Sequence, residues 1–367
     1  MAIHVEKFYI DSFRGIKSFD ASYLNHVNLI VGDNNCGKTS LLEALLMLRS
    51  PASVVNALRV ARQRESAYAY NRVSVFDNFL ALFPQYKEGY SERGIEIHAI
   101  YHGRPVDYRM YGEQTRVLLD ERDYRHFSFP SGRKYYEGEA AAFNGEIKWG
   151  VDGEYYYEPV SIHEYSKING LEVVRGSLID MTYLSPIDHV KSNVLNNIVR
   201  NDGYKEICLH VIRMFDPDIE DLLILKNEQT NRPVEYIRHS VLGNMPVSTY
   251  GDGIKKVLLL ANAIVSAAGG VLLIDEIDTA IHAKYFNDIF QFLVTACSRY
   301  DVQLFITTHN IEAVDAILAT QDYSEPNSED YVSVMTMKKG WDRTYTRTLT
   351  GREVFENREA FGFEVRV

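Results

Sequence analysis

The run GDNNCGKT, Gly32 to Thr39, constrains this chain more than any other feature. It fits G-x-x-x-x-G-K-[ST] without a gap, follows the apolar stretch VNLIV and leads into SLLEALLML, whose apolar residues recur at helical spacing. A glycine loop between a buried strand and a helix turns backbone N–H groups toward one point, and the helix N-terminus adds positive potential there. Such a loop holds phosphate. Gly32, Asp33, Asn34, Asn35, Cys36, Gly37 and Ser40 would supply the cradle, Lys38 a point charge for the outer phosphates, and Thr39 a hydroxyl for Mg²⁺.

A second pattern, VLLIDEID, places Asp275 and Glu276 at the end of four apolar residues. Ligands of α/β sheets bind at the carboxyl ends of strands, so Asp275 is expected to hold Mg²⁺ and Glu276 to act as general base on water. A third, VQLFITTHN, ends another buried strand at His309, one strand–helix unit later, where it would sense the outer phosphate. In a fourth, STYGDGIKKVLLL, the turn Gly251–Asp252–Gly253 opens a helix. Lys38 and its loop already serve one set of phosphates, so this second anion site is expected to face a nucleotide held by another copy of the chain.

The order of elements extends from these motifs. Short, wholly apolar strands alternate with helices after Met181, which predicts a parallel sheet covered on both faces and shared by both ends of the chain. A polar helix is expected over about 191–214, a hairpin around Asn231–Pro233, and helices over 254–267, 282–299 and 311–319. Between Gly89 and Met181 the texture becomes dense in tyrosine, glycine and charge, as in a meandering antiparallel region. The reading is therefore an α/β core split into residues 1–89 and 181–367, with a β-rich insertion over 90–180.

The 367 residues carry 39 basic and 50 acidic side chains, a net charge of −11 that excludes a generally basic surface. Three scattered cysteines do not make a disulfide framework. The start, MAIHVEKFYIDSFRG, lacks a signal-peptide pattern, and a cytoplasmic protein is the expectation. Val257 to Ile274 is eighteen residues long, near the lower limit for crossing a bilayer, but Asn262, Ser266 and Gly269–Gly270 interrupt it. No membrane span is expected. Cys36 in the phosphate loop reads as a tolerated variable position rather than an activated thiol, and Arg59, Arg62 and Arg64 as a solvated helix face. The tyrosines, 25 in all, suit either a docking face or plain packing of the β-rich region.

Phosphate loop, glycine turn–helix, strand with Asp-Glu and strand with His, in that order, resemble the ABC-type ATPases. The opening IDSFRGIKSFD, the YLSP at Tyr183–Pro186 and DEIDTAIHAKY are similar to the branch holding RecF, the structural-maintenance-of-chromosomes (SMC) ATPases and the overcoming-lysogenization-defect (OLD) ATPases. The resemblance covers about residues 1–50 and 181–320. It implies a head-to-tail homo-oligomer that sandwiches ATP, with Lys38, Thr39, Asp275, Glu276 and His309 acting in cis. Gly251–Gly253 would act in trans, and Asp278 would lie in the loop that crosses the interface. Two departures stand out. The usual Leu-Ser-Gly-Gly-Gln signature is altered, with Gly251 where the serine belongs, and only Gln85 offers itself as a Q-loop glutamine.

No long heptad run is present, and the tail after His309 leaves no room for the nuclease domain of the OLD enzymes. The resemblance thus implies the stand-alone ATPase of a bacterial anti-phage system such as PARIS, with a separately encoded nuclease-like effector and a phage protein or DNA as trigger. An ATP-bound scaffold with incidental hydrolysis and a RecF-like repair ATPase are the alternatives.

Overall fold

The computed structural model describes residues 2–64, 73–84, 92–118, 139–166, 176–191, 194–227, 230–324, 329–361 and 364–365. Among the described residues, fifteen strands form three sheets. The central sheet has the order β15(Thr344–Thr350), β14(Val332–Lys339), β3(Val27–Gly32), β13(Gln303–Thr307), β12(Val271–Ile274), β8(Met181–Leu184). All its pairings are parallel except β14 with β15. The strand that feeds the phosphate loop, β3, therefore lies between strands from the far end of the chain, as a shared sheet requires.

Alternation along these strands divides the interior into two cores. Leu29, Val31, Leu272, Ile274, Leu304 and Ile306 face the helices Asp202–Ile212, Asp252–Ser266, Phe286–Arg299 and Ile311–Leu318. Ile30, Leu273, Phe305 and Met335 face the other way, into a core with the helix Lys38–Met47 and a second sheet. That second sheet is wholly antiparallel, in the order β2(Ile16–Ala21), β1(Val5–Phe13), β4(Glu92–Tyr101), β5(Arg104–Leu118), β6(Glu139–Val151), β7(Glu154–His163).

The tyrosine-rich meander continues this sheet. β4 pairs with β1 from Val5↔Tyr101 to Ser12↔Glu96, and Ile95, Ile97, Tyr108, Met110 and Ile147 bury beside Phe8 and Ile10. Tertiary hydrogen bonds also redirect the segment read as one helix over 191–214. The Glu235 carboxylate accepts from the N–H groups of Val194 (3.0 Å) and Leu195 (2.6 Å), and Asn262 Oδ1 from that of Asn197 (3.0 Å). With those donors taken, the helix begins only at Asp202, capped by Asn201. The expected hairpin is present as β9(Ile219–Lys226) and β10(Pro233–His239), and a third strand, β11(Gly243–Pro246), completes a small sheet. A final helix, Gly351–Phe361, was hidden in a polar sequence; it is anchored by the fully buried Val354. Among the described residues, no helix is long and apolar enough to cross a membrane.

Candidate functional site

The phosphate loop hangs between β3 and the helix Lys38–Met47 because two glycines permit it. Gly32 has φ +144°, and a Cβ there would stand 2.3 Å from the Met337 carbonyl of neighbouring β14. Gly37, at φ +110°, occupies the helix N-cap with no side chain bonded to the first-turn amides and no acidic residue among them. Uncapped N–H groups and the helix dipole thus converge on the loop. Lys38 Nζ donates to the carbonyls of Gly32 (2.7 Å) and Asp33 (2.9 Å), which hold the ammonium at the loop centre.

Asn34 to Ser40 line a cleft of about 1190 Å³ that also takes in Asp275, Glu276 and His309. The carboxylates reach it from the end of β12, and threonines of β13 and the adjoining segment orient them. Thr307 Oγ1 donates to Asp275 Oδ1 at 2.6 Å and accepts from the Glu276 N–H at 2.8 Å. Thr39 Oγ1 donates to the other Asp275 oxygen at 2.9 Å, and Tyr183 to the same oxygen at 3.4 Å. Burial pushes the Tyr183 phenol up, so it remains a neutral donor. Glu276 adopts φ 47°, in the left-handed region that side chains avoid, so the backbone breaks from β12 at this residue. Thr308 Oγ1 donates to Asp278 Oδ1 at 2.6 Å, and His309 Nε2 stands 4.0 Å from Asp278 Oδ2.

The donor set suits Mg²⁺. One hydroxyl and one carboxylate oxygen lie 2.9 Å apart beside the loop, and both are hard oxygen ligands open to the cleft. The second Asp275 oxygen is pinned by Thr307, so the carboxylate presents a fixed edge.

Several contributors carried no clear signal in the sequence. The Glu43 carboxylate, 0% exposed on the loop helix, forms an ion pair with Arg14, whose Nε stands 2.9 Å away, and accepts a hydrogen bond from Arg64 Nη2 at 2.7 Å. Arg64, exposed like Arg59 but beyond the helix Val54–Ala61, also donates to Ser40 Oγ at 2.8 Å, so its solvated side chain still joins this network. The FRG run thereby acquires a physical meaning: Phe13 is core, Arg14 an ion-pair partner and Gly15 cleft lining. Cys36 is buried, and burial pushes its thiol up, in line with an unactivated position.

The turn Gly251–Asp252–Gly253 lies outside the cleft lining and faces solvent at Gly251 and Asp252. Ser248 is exposed beside it, whereas Thr249 Oγ1 donates to the Pro246 carbonyl at 2.7 Å. Behind this turn the same helix carries Lys256, 0% exposed and without a hydrogen-bond partner among the described residues. Burial lowers its ammonium to about 8, against the pull of Asp188, Asp278, Asp275 and Glu276. Gln85 lies outside the described residues.

Comparison with known proteins agrees with this geometry. A family model described as "AAA ATPase domain" matches residues 3–149, and one described as "AAA domain, putative AbiEii toxin, Type IV TA system" matches residues 188–315. The chain is 22% identical to an "ATP/GTP phosphatase" of Helicobacter pylori, covering 95% of this chain and 97% of that protein. It is 30% identical over 114 residues to the DNA replication and repair protein RecF of Shewanella loihica, covering 31% of this chain and 29% of that one. The fold matches an SMC head solved with the C-terminal winged helix of ScpA, at TM-score 0.52 and 12% identity, covering 96% of this chain and 100% of that one. With a phosphate loop, an acidic strand end and a fold like that of an SMC head in one molecule, the chain is an ATPase with an SMC-head-like P-loop fold.

Proposed function

We propose that this ATPase is a nucleotide-gated switch. Two copies close head to tail on ATP, and hydrolysis reopens them. The observation that carries the reading is the split between two places: Lys38, Thr39, Asp275 and Glu276 share one cleft, while the turn Gly251–Gly253 faces solvent outside it. The N–H groups that open the helix Asp252–Ser266 have no side-chain cap, so a second molecule's terminal phosphate can take them.

In the cleft the loop amides and Lys38 bind and orient the phosphates, and Glu276 takes a proton from the attacking water. The water oxygen bonds to the γ-phosphorus as the bond to the β,γ-bridging oxygen breaks, giving ADP and phosphate. Thr39 and Asp275 would hold Mg²⁺, which when bound screens the charge on the phosphate oxygens. His309, at the rim beside Asp278, senses the terminal phosphate and links its presence to the interface loop. The family model over residues 188–315, whose printed description names a toxin–antitoxin system, supports a defence role. In that role the closed pair restrains a separately encoded nuclease-like effector until a phage protein or DNA triggers release.

The test is particle mass in solution for Glu276→Gln with and without ATP and Mg²⁺. The mass should double with ATP and stay monomeric when Gly251→Trp is added, a position where a new Cβ meets nothing within 4 Å. An unchanged mass in a variant that still binds ATP would overturn the sandwich and favour an ATP-bound scaffold.

A further inference from the structure

Trp341 is 98% exposed, the most exposed large apolar side chain among the described residues. It sits at the tip between β14 and β15, and with Lys339, Gly340 and Arg343 it lines the same cleft as the phosphate loop. The placement follows from the sheet. β14 runs parallel beside β3, with Met337 paired to Gly32, so the tip begins just where the loop turns away. Trp341 stands four residues beyond that pair, at most about 13 Å along an extended chain, which is the order of the length of a nucleoside triphosphate.

The tip is braced. The Gly340 N–H donates to the Arg343 carbonyl at 3.0 Å, and a Cβ on Gly340 would strike the Tyr345 ring at 2.2 Å, so only glycine makes this turn. Arg343 lies over the Tyr345 ring at 4.7 Å, and the Lys17 N–H donates to Thr344 Oγ1 at 3.3 Å, tying the hairpin to β2. An indole exposed to water on the lining of a phosphate-binding cleft, a lining it shares with Lys17, Lys339 and Arg343, has the chemistry to take a planar ring attached to phosphates.

We propose that Trp341 is the base platform of this site, stacking on the purine of the nucleotide whose phosphates occupy the loop Gly32–Thr39. The inference rests on the nucleotide reading above and deepens it by assigning the base. Stacking reads the ring face and not its edge, so ATP and GTP should bind alike.

The chain has two tryptophans, and the other, Trp149, stacks on Tyr156 in the antiparallel sheet, with ring centroids 4.7 Å apart. Tryptophan emission of the full chain is therefore a direct probe. ATP and GTP with Mg²⁺ should change it, whereas inorganic tripolyphosphate should compete with them without reproducing the change. In equilibrium dialysis, Trp341→Ala should weaken ATP and GTP binding about 10-fold, a typical loss for one stacked base, and leave competition by tripolyphosphate unchanged. Trp341→Phe should restore most of the affinity. ATP binding at wild-type affinity in Trp341→Ala would overturn the assignment, as would an equal loss for tripolyphosphate. Lys38→Ala separates the two readings: it should weaken ATP and tripolyphosphate together, and a wild-type chain that binds neither would overturn the nucleotide reading and the platform with it.

Discussion

At the scale of single residues, the site is a set of oxygen atoms fixed by short hydrogen bonds. Asp275 is held by three hydroxyls, from Thr39, Thr307 and Tyr183, and Glu276 by a left-handed backbone and the same Thr307. A proposed general base is tested by removing its basicity alone. Glu276→Gln should lower the steady-state rate of phosphate release by about 10²–10⁴-fold while ATP binding, read by dialysis, persists. Lys256 gives a prediction of a different kind. With its ammonium lowered to about 8 from the ordinary 10.5, the folded state bears the burial penalty fully below pH 8. Between pH 8 and 10.5 the unfolded chain holds a proton that the folded chain has released, so stability contributed at this position rises with pH. Lys256→Met should therefore raise the melting temperature at pH 7, and the gain should shrink as pH climbs through that window. A gain that is constant across it would show that Lys256 keeps its ordinary ionisation.

At the scale of elements, the seam between β3 and β14 carries the phosphate loop. Gly32 combines φ +144° with a 2.3 Å approach of any Cβ to the Met337 carbonyl, so Gly32→Ala must either twist the loop or part the strands. Urea denaturation should show a loss of about 1–3 kcal/mol for the strained backbone, with nucleotide binding reduced as the loop shifts. The buried Glu43 braces the helix on the other side of the loop. Replacing it with alanine strands the largely buried Arg14, and about 3–5 kcal/mol of stability should be lost by the same measurement. These elements show what a sequence can and cannot disclose. GDNNCGKT, VLLIDEID and VQLFITTHN are local patterns whose glycines and apolar runs dictate loop and strand directly, and they appear where expected. The helix expected over 191–214 was shortened by acceptors on Glu235 and Asn262, residues distant in the chain that no local pattern reveals. The pairing of Arg64 with Glu43 was not legible because the fold alone brings the two together.

At the scale of the whole molecule, the proposed sandwich pairs the cleft of one copy with the uncapped N-terminus of the helix Asp252–Ser266, which lies outside that cleft, of another. Hydrolysis per protomer should then rise with protein concentration and plateau where the dimer saturates, a dependence read by diluting the chain at fixed ATP. A rate per protomer that stays flat from nanomolar to micromolar protein would place all of catalysis within one chain.

The sequence by itself determined the phosphate loop, the carboxylates and the alternation of strand and helix. Each of these rests on interactions among neighbours in the chain: glycine torsions, apolar periodicity and the ends of strands. Only the tertiary structure decided that the tyrosine-rich meander pairs with β1 in one antiparallel sheet. It alone set Trp341 over the cleft, placed Arg14 and Arg64 on Glu43, and buried Lys256 behind the glycine turn. Those outcomes depend on which strands pair and which faces meet. They are fixed by burial and hydrogen bonding between segments far apart in the chain, and no local pattern encodes that pairing.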